Sequence, residues 1–218
     1  MGPKRNPSAR LRLATLVLRR ILKPRLERTP TPQIARAEFD RVVPRLIRRP
    51  PFLLRRVRPA TATTPELHWI ECGAPRRRGV ILYAHGGAYF AGSPATHEGL
   101  VGRLCRLTGL SAVMPVYARA PEHPAPAAYD DVCRTHAALL RQGHAADEIV
   151  LAGDSAGGGL AMALLARLCG EDARPATAVV FSPWVDLAMG SASLQTNAAA
   201  DPVLPVSRLR DVVGYVTG

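Results

Sequence analysis

Short apolar runs rich in β-branched residues alternate with helix-like stretches from residue 67 onward, and this alternation restricts the fold more than any other feature. Strands are predicted at 67–72, 79–85, 110–116, 148–153 and 177–183, with helices near 96–108, 126–142 and 156–169. Such an order is typical of a mostly parallel sheet with helices on both faces. Because 47% of the 218 residues are hydrophobic, the chain is long and apolar enough for one α/β domain with an appendage.

The appendage is predicted from charge. Residues 1–60 hold 17 Lys and Arg against 3 Asp and Glu, whereas residues 61–218 hold 12 against 14. We therefore divide the chain into a basic helical segment, 1–60, and a main domain, 61–218. A basic surface attracts phosphates, but the sequence has no zinc-finger spacing, aromatic-rich RNA-binding signature or DNA-reading helix, so no nucleic-acid partner is expected.

The basic segment is predicted to contain two helices. Residues 8–23 have Ser8 as a candidate cap and an apolar stripe at helical spacing, formed by Leu11, Ala14, Leu18 and Leu22. A proline-rich break is expected from Pro24 to Pro32, a second helix from Gln33 to about Ile47, and an irregular link marked by Pro50, Pro51 and Pro59. Two interpretations of the first helix stay open: packing on its own protein, which is the commoner case, or contact with a membrane surface.

No targeting segment, metal or cofactor is predicted. The apolar core at 13–18 is too short for a secretory signal, Asn6 breaks the myristoylation motif, and no run of about 18 apolar residues could span a membrane, so the cytoplasm is expected. The cysteines are far apart in the sequence, without a CxxC pair: Cys72, Cys105, Cys133 and Cys169. The histidines show no HExxH pattern.

Two motifs carry chemistry. Gly153-Asp154-Ser155-Ala156-Gly157 fits G-x-S-x-G between a predicted strand and a predicted helix, which is the context that presents a nucleophilic serine on a sharp turn. Alone, it could also be a helix cap made by Asp154 or Ser155. His85-Gly86-Gly87-Ala88-Tyr89 follows an earlier strand, and such a loop is either a tight turn or a set of amides aimed at an oxyanion. The pair of motifs indicates an ester hydrolase.

With three further stretches, the sequence resembles the hormone-sensitive-lipase family of α/β hydrolases from about residue 67 onward. These stretches are GSPATH at 92–97, YARAPEHPAPAAYDD at 117–131, and SPWVDL at 182–187 with NAAADPVL at 197–204. The resemblance implies a carboxylesterase or lipase that acts on small acyl esters through an acyl-serine intermediate. It also implies that residues 1 to about 60 form a helical cap over the active site.

The resemblance assigns roles to individual residues. Ser155 matches the nucleophile; Gly87, Ala88 and Ala156 match the oxyanion-hole positions, and Gly86 shapes the loop. His85 and Asp154 support the two motifs, and His85 is structural in the family. Trp184 and Tyr89 are expected in the substrate pocket. Ala88 stands where the motif usually has a third glycine, a change expected to alter pocket shape more than mechanism.

The resemblance does not supply a base for Ser155. In α/β hydrolases the acid and the histidine follow the serine, but all six histidines precede it here: His68, His85, His97, His123, His136 and His144. Four aspartates follow it, at 172, 186, 201 and 211, and none matches the family's acid motif. We therefore expect a truncated hydrolase that lacks the last strands and helix, has an uncovered sheet edge and turns over poorly. The alternative is a non-catalytic remnant that binds a hydrophobic ligand.

Overall fold

A six-stranded sheet forms the centre of the molecule in the computed structural model, which describes residues 8–29, 31–171 and 173–218. In chain order its strands are β1 Leu53–Arg58, β2 Leu67–Cys72, β3 Val80–Ala84, β4 Ser111–Pro115, β5 Ile149–Asp154 and β6 Thr177–Phe181. Across the sheet the order is β1-β2-β4-β3-β5-β6. Strands β4, β3, β5 and β6 pair in parallel. Strand β2 pairs antiparallel with both of its neighbours, β1 and β4. The predicted α/β-hydrolase fold with a mostly parallel sheet is confirmed.

Helices cover both faces of this sheet. In chain order they are α1 Ala9–Val17, α2 Lys23–Arg28, α3 Pro32–Leu46, α4 Pro94–Thr108, α5 Ala127–Arg141, α6 Ser155–Gly170, α7 Ala192–Thr196 and α8 Val206–Thr217. Val101 and Cys105 of α4 pack on one face of the sheet, against Tyr83 and its neighbours. Leu139 of α5 and Leu164 of α6 pack on the other face. The buried strands β3 and β4 are apolar on both sides because both of their faces are covered.

The irregular link predicted around Pro50–Pro59 was wrong, because it contains β1. This strand pairs along its whole length with β2, from Leu53 opposite Cys72 to Arg58 opposite Leu67. Five of its six residues are exposed, so the sequence shows no apolar alternation that would identify a strand. Arginines on an exposed edge strand also oppose edge-to-edge pairing with other chains.

The break predicted to begin at Pro24 was also wrong. Ser8 caps α1 as expected, its Oγ accepting a hydrogen bond of 3.2 Å from the amide of Leu11. A π-helical turn, Leu18–Leu22, then continues directly into α2, where Pro24 stands in the first turn. Proline is tolerated in a first turn because its missing N–H has no partner there. The helix ends at Arg28 instead.

Basic side chains fasten the N-terminal helices to the C-terminal part of the chain. Lys23 Nζ donates to the carbonyl oxygens of Ala198 and Asp201, at 2.6 and 2.9 Å. Arg208 on α8 donates in the opposite direction, to the carbonyl oxygens of Glu27 and Thr29 at 3.0 and 3.1 Å. These cations therefore donate hydrogen bonds to carbonyl oxygens near helix ends. Their positive charge is used within the protein and does not indicate an external partner.

The sheet ends at β6, whose outer edge has no neighbouring strand within the described ranges. Its side chains alternate between half-buried and exposed. Val179 and Phe181, on the exposed side, keep 45% and 42% of their surface accessible. These two side chains therefore form an apolar patch on the exposed side of β6, the strand that precedes Trp184.

Candidate active site

Ser155 occupies a strained turn between the last residue of β5 and the first turn of α6. Its φ of 50° lies in the left-handed region, which a non-glycine residue enters at a cost of about 1–3 kcal/mol. The turn is tight enough that a Cβ on Gly153 would stand 2.6 Å from the carbonyl carbon of Gly157. A Cβ on Gly157 would collide with the carbonyl oxygens of Ala84 and His85. The glycines on either side of Ser155 are therefore required by the close approach of β3, β5 and α6.

The loop from Gly86 to Tyr89 runs past the same turn, and the amides of Gly87 and Ala88 in it are free within the described residues. Gly87, Ala88 and Tyr89 all have positive φ, of 133°, 52° and 64°. Ala88 adopts a conformation that glycine reaches more easily, which accounts for the glycine usual at this place in the motif. Within the described part of the chain, the amides of Gly87 and Ala88 donate to no acceptor. Free amides beside a serine are the arrangement that an oxyanion hole requires.

Asp154 connects this loop to the serine turn. Its Oδ1 accepts hydrogen bonds from the Gly86 amide at 3.0 Å and the buried Tyr83 hydroxyl at 2.8 Å, and His97 Nε2 lies 3.4 Å away. Burial alone would raise the pKa of Asp154, but the hydrogen bonds from His97, Tyr83 and the Gly86 amide outweigh it, so the pKa lies below its usual value. The carboxylate is ionised at neutral pH and fixes the loop to the residue before Ser155.

Removing the Asp154 carboxylate should cost more than neutralising it. We expect Asp154→Ala to lower the free energy of unfolding by about 2–4 kcal/mol, because it leaves the Gly86 amide and Tyr83 hydroxyl without a partner. Asp154→Asn keeps an acceptor at the same position and should lose clearly less. Urea denaturation of the two variants beside the unaltered protein measures the difference. Equal losses would show that the hydrogen bonds do not carry the effect.

His85 is buried and makes hydrogen bonds and a ring stack that hold the loop. The Nδ1 atom of His85 lies 2.9 Å from the Gly86 carbonyl oxygen, and the Tyr117 hydroxyl donates to the His85 carbonyl oxygen at 2.7 Å. The centroids of the His85 and Tyr117 rings, which are stacked, lie 4.2 Å apart. Burial, assisted by nearby His97, lowers the pKa of His85 to about 3. The imidazole is therefore neutral and holds the loop in place.

Ser155 shares an apolar cavity of about 290 Å³ with the free amides. Gly87, Ala88 and Asp154 line it on the sheet side, and Phe39 of α3 and Tyr215 of α8 line it from above. Its lining is predominantly apolar, and Arg208 is the basic residue on its wall. The helices that enclose the cavity come from both ends of the chain, so α2, α3 and α8 together cover the serine.

Tyr89 and Trp184 lie elsewhere, in the lining of a second apolar cavity of about 540 Å³ beside α6. The Tyr89 hydroxyl donates to the Trp184 carbonyl oxygen at 3.0 Å, and the Trp184 amide donates to the Ser155 carbonyl oxygen at 2.8 Å. The structure therefore connects Trp184 to the serine turn through its backbone. It does not place either ring among the residues that line the Ser155 cavity.

Four residues that organise the site were missed by the sequence reasoning: Tyr83, His97, Tyr117 and Arg36. Arg36 of α3 donates to the carbonyl oxygens of Phe90 and Ala120 and to the Glu122 carboxylate, whose pKa it lowers to about 2. His97 and Tyr117 stand in the quoted motifs GSPATH and YARAPEHPAPAAYDD, so the motifs marked them without indicating a role. Tyr83, inside an apolar strand, gave no indication at all.

The Ser155 hydroxyl has no hydrogen-bond partner within residues 8–29, 31–171 and 173–218. Asp186 caps the turn that follows Trp184 by accepting from the amides of Ala188 and Gly190, and Asp201 accepts from the amides of Val203 and Leu204. Asp211 pairs with Arg208. Asp172 lies outside the described residues. No group of three His, Cys, Asp or Glu side chains in the described ranges could hold a metal ion.

A serine on a strand–turn–helix element, facing free amides at the carboxyl ends of parallel strands, defines an α/β hydrolase. The α/β hydrolase fold family matches residues 81–217. A solved esterase from the bacterial hormone-sensitive lipase family superposes with a TM-score of 0.84 at 28% identity, over 97% of this chain and 70% of that one. The chain belongs to the hormone-sensitive-lipase-like family of α/β hydrolases.

Curated relatives agree with this family. An acetyl-hydrolase of Streptomyces hygroscopicus is 44% identical over 133 residues, which are 60% of this chain and 44% of that protein. An esterase of Acinetobacter venetianus is 38% identical over 132 residues, with the same two coverages. The chain thus spans less than half the length of these relatives. None of the helices in the described ranges has the length and apolar character to cross a membrane.

Proposed function

We propose that this chain carries the nucleophile and the oxyanion hole of a serine carboxylic-ester hydrolase that acts on small acyl esters. The observation that carries the proposal is the convergence of Ser155, at φ 50°, with Gly87 and Ala88 on one apolar cavity. Positive φ at non-glycine residues beside free amides, here Ser155 and Ala88, is typical of a site built for chemistry. The names of the relatives, acetyl-hydrolase and esterase, support the same substrate class.

The reaction follows from the positions of these groups. Ser155 Oγ attacks the ester carbonyl carbon, and the electron pair of the carbonyl moves onto its oxygen. The amides of Gly87, Ala88 and Ala156 stabilise that oxyanion, and the N-terminus of the 16-residue α6 favours the same negative charge. The carbonyl re-forms as the alcohol leaves with a proton, and water then hydrolyses the acyl-serine.

No side chain among the described residues is hydrogen-bonded to Ser155 Oγ to accept its proton, and the lowered pKa of buried His85 makes that imidazole a weak base. Serine hydrolases stripped of triad members retain roughly 10³ to 10⁴-fold catalysis over water from the oxyanion hole and binding. We expect the 218-residue chain to turn over at this feeble level. Its acylation should speed up with rising pH, because hydroxide takes the proton.

Labelling with a fluorophosphonate tests the nucleophile separately from turnover. Ser155 Oγ forms a bond to phosphorus, fluoride leaves, and the adduct is stable, so even a slow reaction accumulates product. Intact-mass spectrometry should show one adduct on the unaltered protein and on a Ser191→Ala control, and none on Ser155→Ala. Labelling of Ser155→Ala at the same rate as the unaltered protein would contradict the proposal.

One observation favours a second candidate function, a protein that binds a hydrophobic ligand without turnover. The cavity above Ser155 is apolar and enclosed by three helices, while the serine hydroxyl has no partner in the described ranges. A short-chain alkyl ligand would then bind equally well to the unaltered protein and to Ser155→Ala, and the fluorophosphonate would label neither.

A further inference from the structure

One side of the N-terminal helical segment faces solvent with large apolar side chains. Residues 9–17 of α1 include no fully buried residue, so much of the surface of α1 is in contact with solvent. Leu13, Leu16, Val17 and Ile21 keep 62%, 51%, 45% and 61% of their surface exposed. Their spacings of three, one and four residues place them on one side of the helix. On the opposite side Thr15, Leu18 and Leu22 are half-buried, and Leu11, nearer the start of the helix, is exposed.

The same side carries cations and no anion. Residues 8–26 hold six Lys and Arg, and the first acidic residue in the chain is Glu27. Arg19, Lys23 and Arg25 are used inside the molecule, on Ala200, Ala198 with Asp201, and Glu38. Arg10, Arg12 and Arg20 are exposed and have no ion pair or hydrogen bond with the described part of the chain. We call Arg10, Arg12, Leu13, Leu16, Val17, Arg20 and Ile21 the outer face.

We propose that the outer face docks on an anionic phospholipid surface, with its leucines and Ile21 in the headgroup boundary and its free arginines on the phosphates. An interfacial helix needs this combination of an apolar stripe, adjacent cations and no intervening carboxylate. The charge complementarity favours lipid over a neutral apolar partner, because three guanidinium groups with no partner in the described ranges adjoin the stripe. The helical segment from Ala9 to Arg28 is too charged to span a bilayer, so in this proposal it lies in the plane of the surface.

The position of the outer face gives the docking a consequence. Leu26 and Thr29, at the end of the same helical segment, line the cavity that contains Ser155. A surface-bound helix would hold that cavity close to the headgroup layer, where acyl esters concentrate. This consequence rests on the proposed function, whereas the docking does not, and Ser155→Ala should bind vesicles as the unaltered protein does.

Vesicle sedimentation tests the docking with the full 218-residue chain. The protein should pellet with phosphatidylcholine vesicles that contain about 30% phosphatidylglycerol, and remain in solution with phosphatidylcholine alone. Near-surface cations each contribute about fivefold in affinity, so Arg10→Gln with Arg12→Gln and Arg20→Gln should weaken binding about 100-fold. Leu13→Gln with Leu16→Gln should also weaken it, since the apolar stripe is lost.

Matched controls separate a specific surface from general basicity. Arg77, Arg78 and Arg106 are exposed and lie at the opposite end of the sheet, before β3 and in the last turn of α4. Their triple Gln variant removes the same charge and should bind normally. Leu107→Gln removes a 76% exposed leucine there and should also bind normally. Circular dichroism melts verify that each variant is folded.

Three outcomes would overturn the proposal. In the first, neutral and anionic vesicles pellet the protein equally. In the second, the two triple arginine variants weaken vesicle binding equally. In the third, polyglutamate binds the protein at concentrations at which anionic vesicles do not. The last result would identify an acidic polypeptide as the occupant of the outer face.

Discussion

Gly157→Ala is expected to lower the free energy of unfolding by more than about 3 kcal/mol, enough to prevent folding of a marginally stable domain. The added methyl would collide with the carbonyl oxygens of Ala84 and His85. Both are backbone atoms at the end of β3, so they cannot rotate away as a flexible side chain would. Relief requires α6 to move off the sheet, which would also displace Ser155.

Gly170→Ala is the control for that variant, because Gly170 is the last residue of the same helix and a Cβ there meets nothing within 4 Å. Alanine has the higher helix propensity, so Gly170→Ala should be neutral or stabilising by up to about 1 kcal/mol. Urea denaturation compares the two, with expression yield and circular dichroism as the readout if Gly157→Ala does not fold. A Gly157→Ala protein that loses less than about 1 kcal/mol would show that β3 and α6 approach less closely.

Acidification from pH 6.5 should destabilise the protein, and buried His85 should account for much of the slope. A histidine in the unfolded chain has a pKa near 6.5, whereas burial lowers the pKa of His85 to about 3 in the folded state. The unfolded chain therefore binds more protons across this range. The stabilising effect of a neutral His85 is complete above pH 6.5 and disappears as the pH falls towards 3, at up to about 1.4 kcal/mol per pH unit.

Substitution separates His85 from the other titrating groups. Burial also lowers the pKa of His136 in α5, so part of the slope should survive in His85→Gln. Asp154, with its lowered pKa, loses its contribution only below about pH 4, as the pH falls through its folded-state pKa. Exposed His123→Gln is the matched histidine-to-glutamine control. Urea denaturation at intervals from pH 7 to pH 4 should give a clearly smaller slope for His85→Gln; an unchanged slope would refute the assignment.

The five strands and three helices predicted between residues 67 and 183 were found because each combines an apolar period with clear ends, whereas α7 and α8 were not predicted. β2 and β5 were placed to within a residue, since buried strands read as apolar runs between glycines and charges. β1 could not be found this way, because an edge strand rich in arginine has no apolar face. The helix through Pro24 was missed because proline predicts a break in a helix. Here a π-helical turn precedes Pro24, so that the proline stands in the first turn of α2.

The sequence predicted the motif residues of the site but not the contacts between them. Motifs identified Ser155 and the loop from His85 to Tyr89, because a sharp turn and close amides demand small residues at fixed spacing. The sequence could not show that Asp154 joins the two motifs, since that contact crosses 68 residues of chain. Nor could it separate the cavity of Ser155 from that of Tyr89 and Trp184, which depends on how α8 packs beside the loop.

The bonds between Lys23 or Arg208 and distant carbonyl groups have a consequence for biosynthesis. They join residues 175 to 181 positions apart, so the N-terminal helices can form these bonds only after almost all of these 218 residues have left the ribosome. Closing so long a loop costs roughly 2–3 kcal/mol more than closing a ten-residue turn. Until then, the basic, leucine-rich segment lacks these carbonyl partners, which leaves it available to other molecules while the chain is still being made.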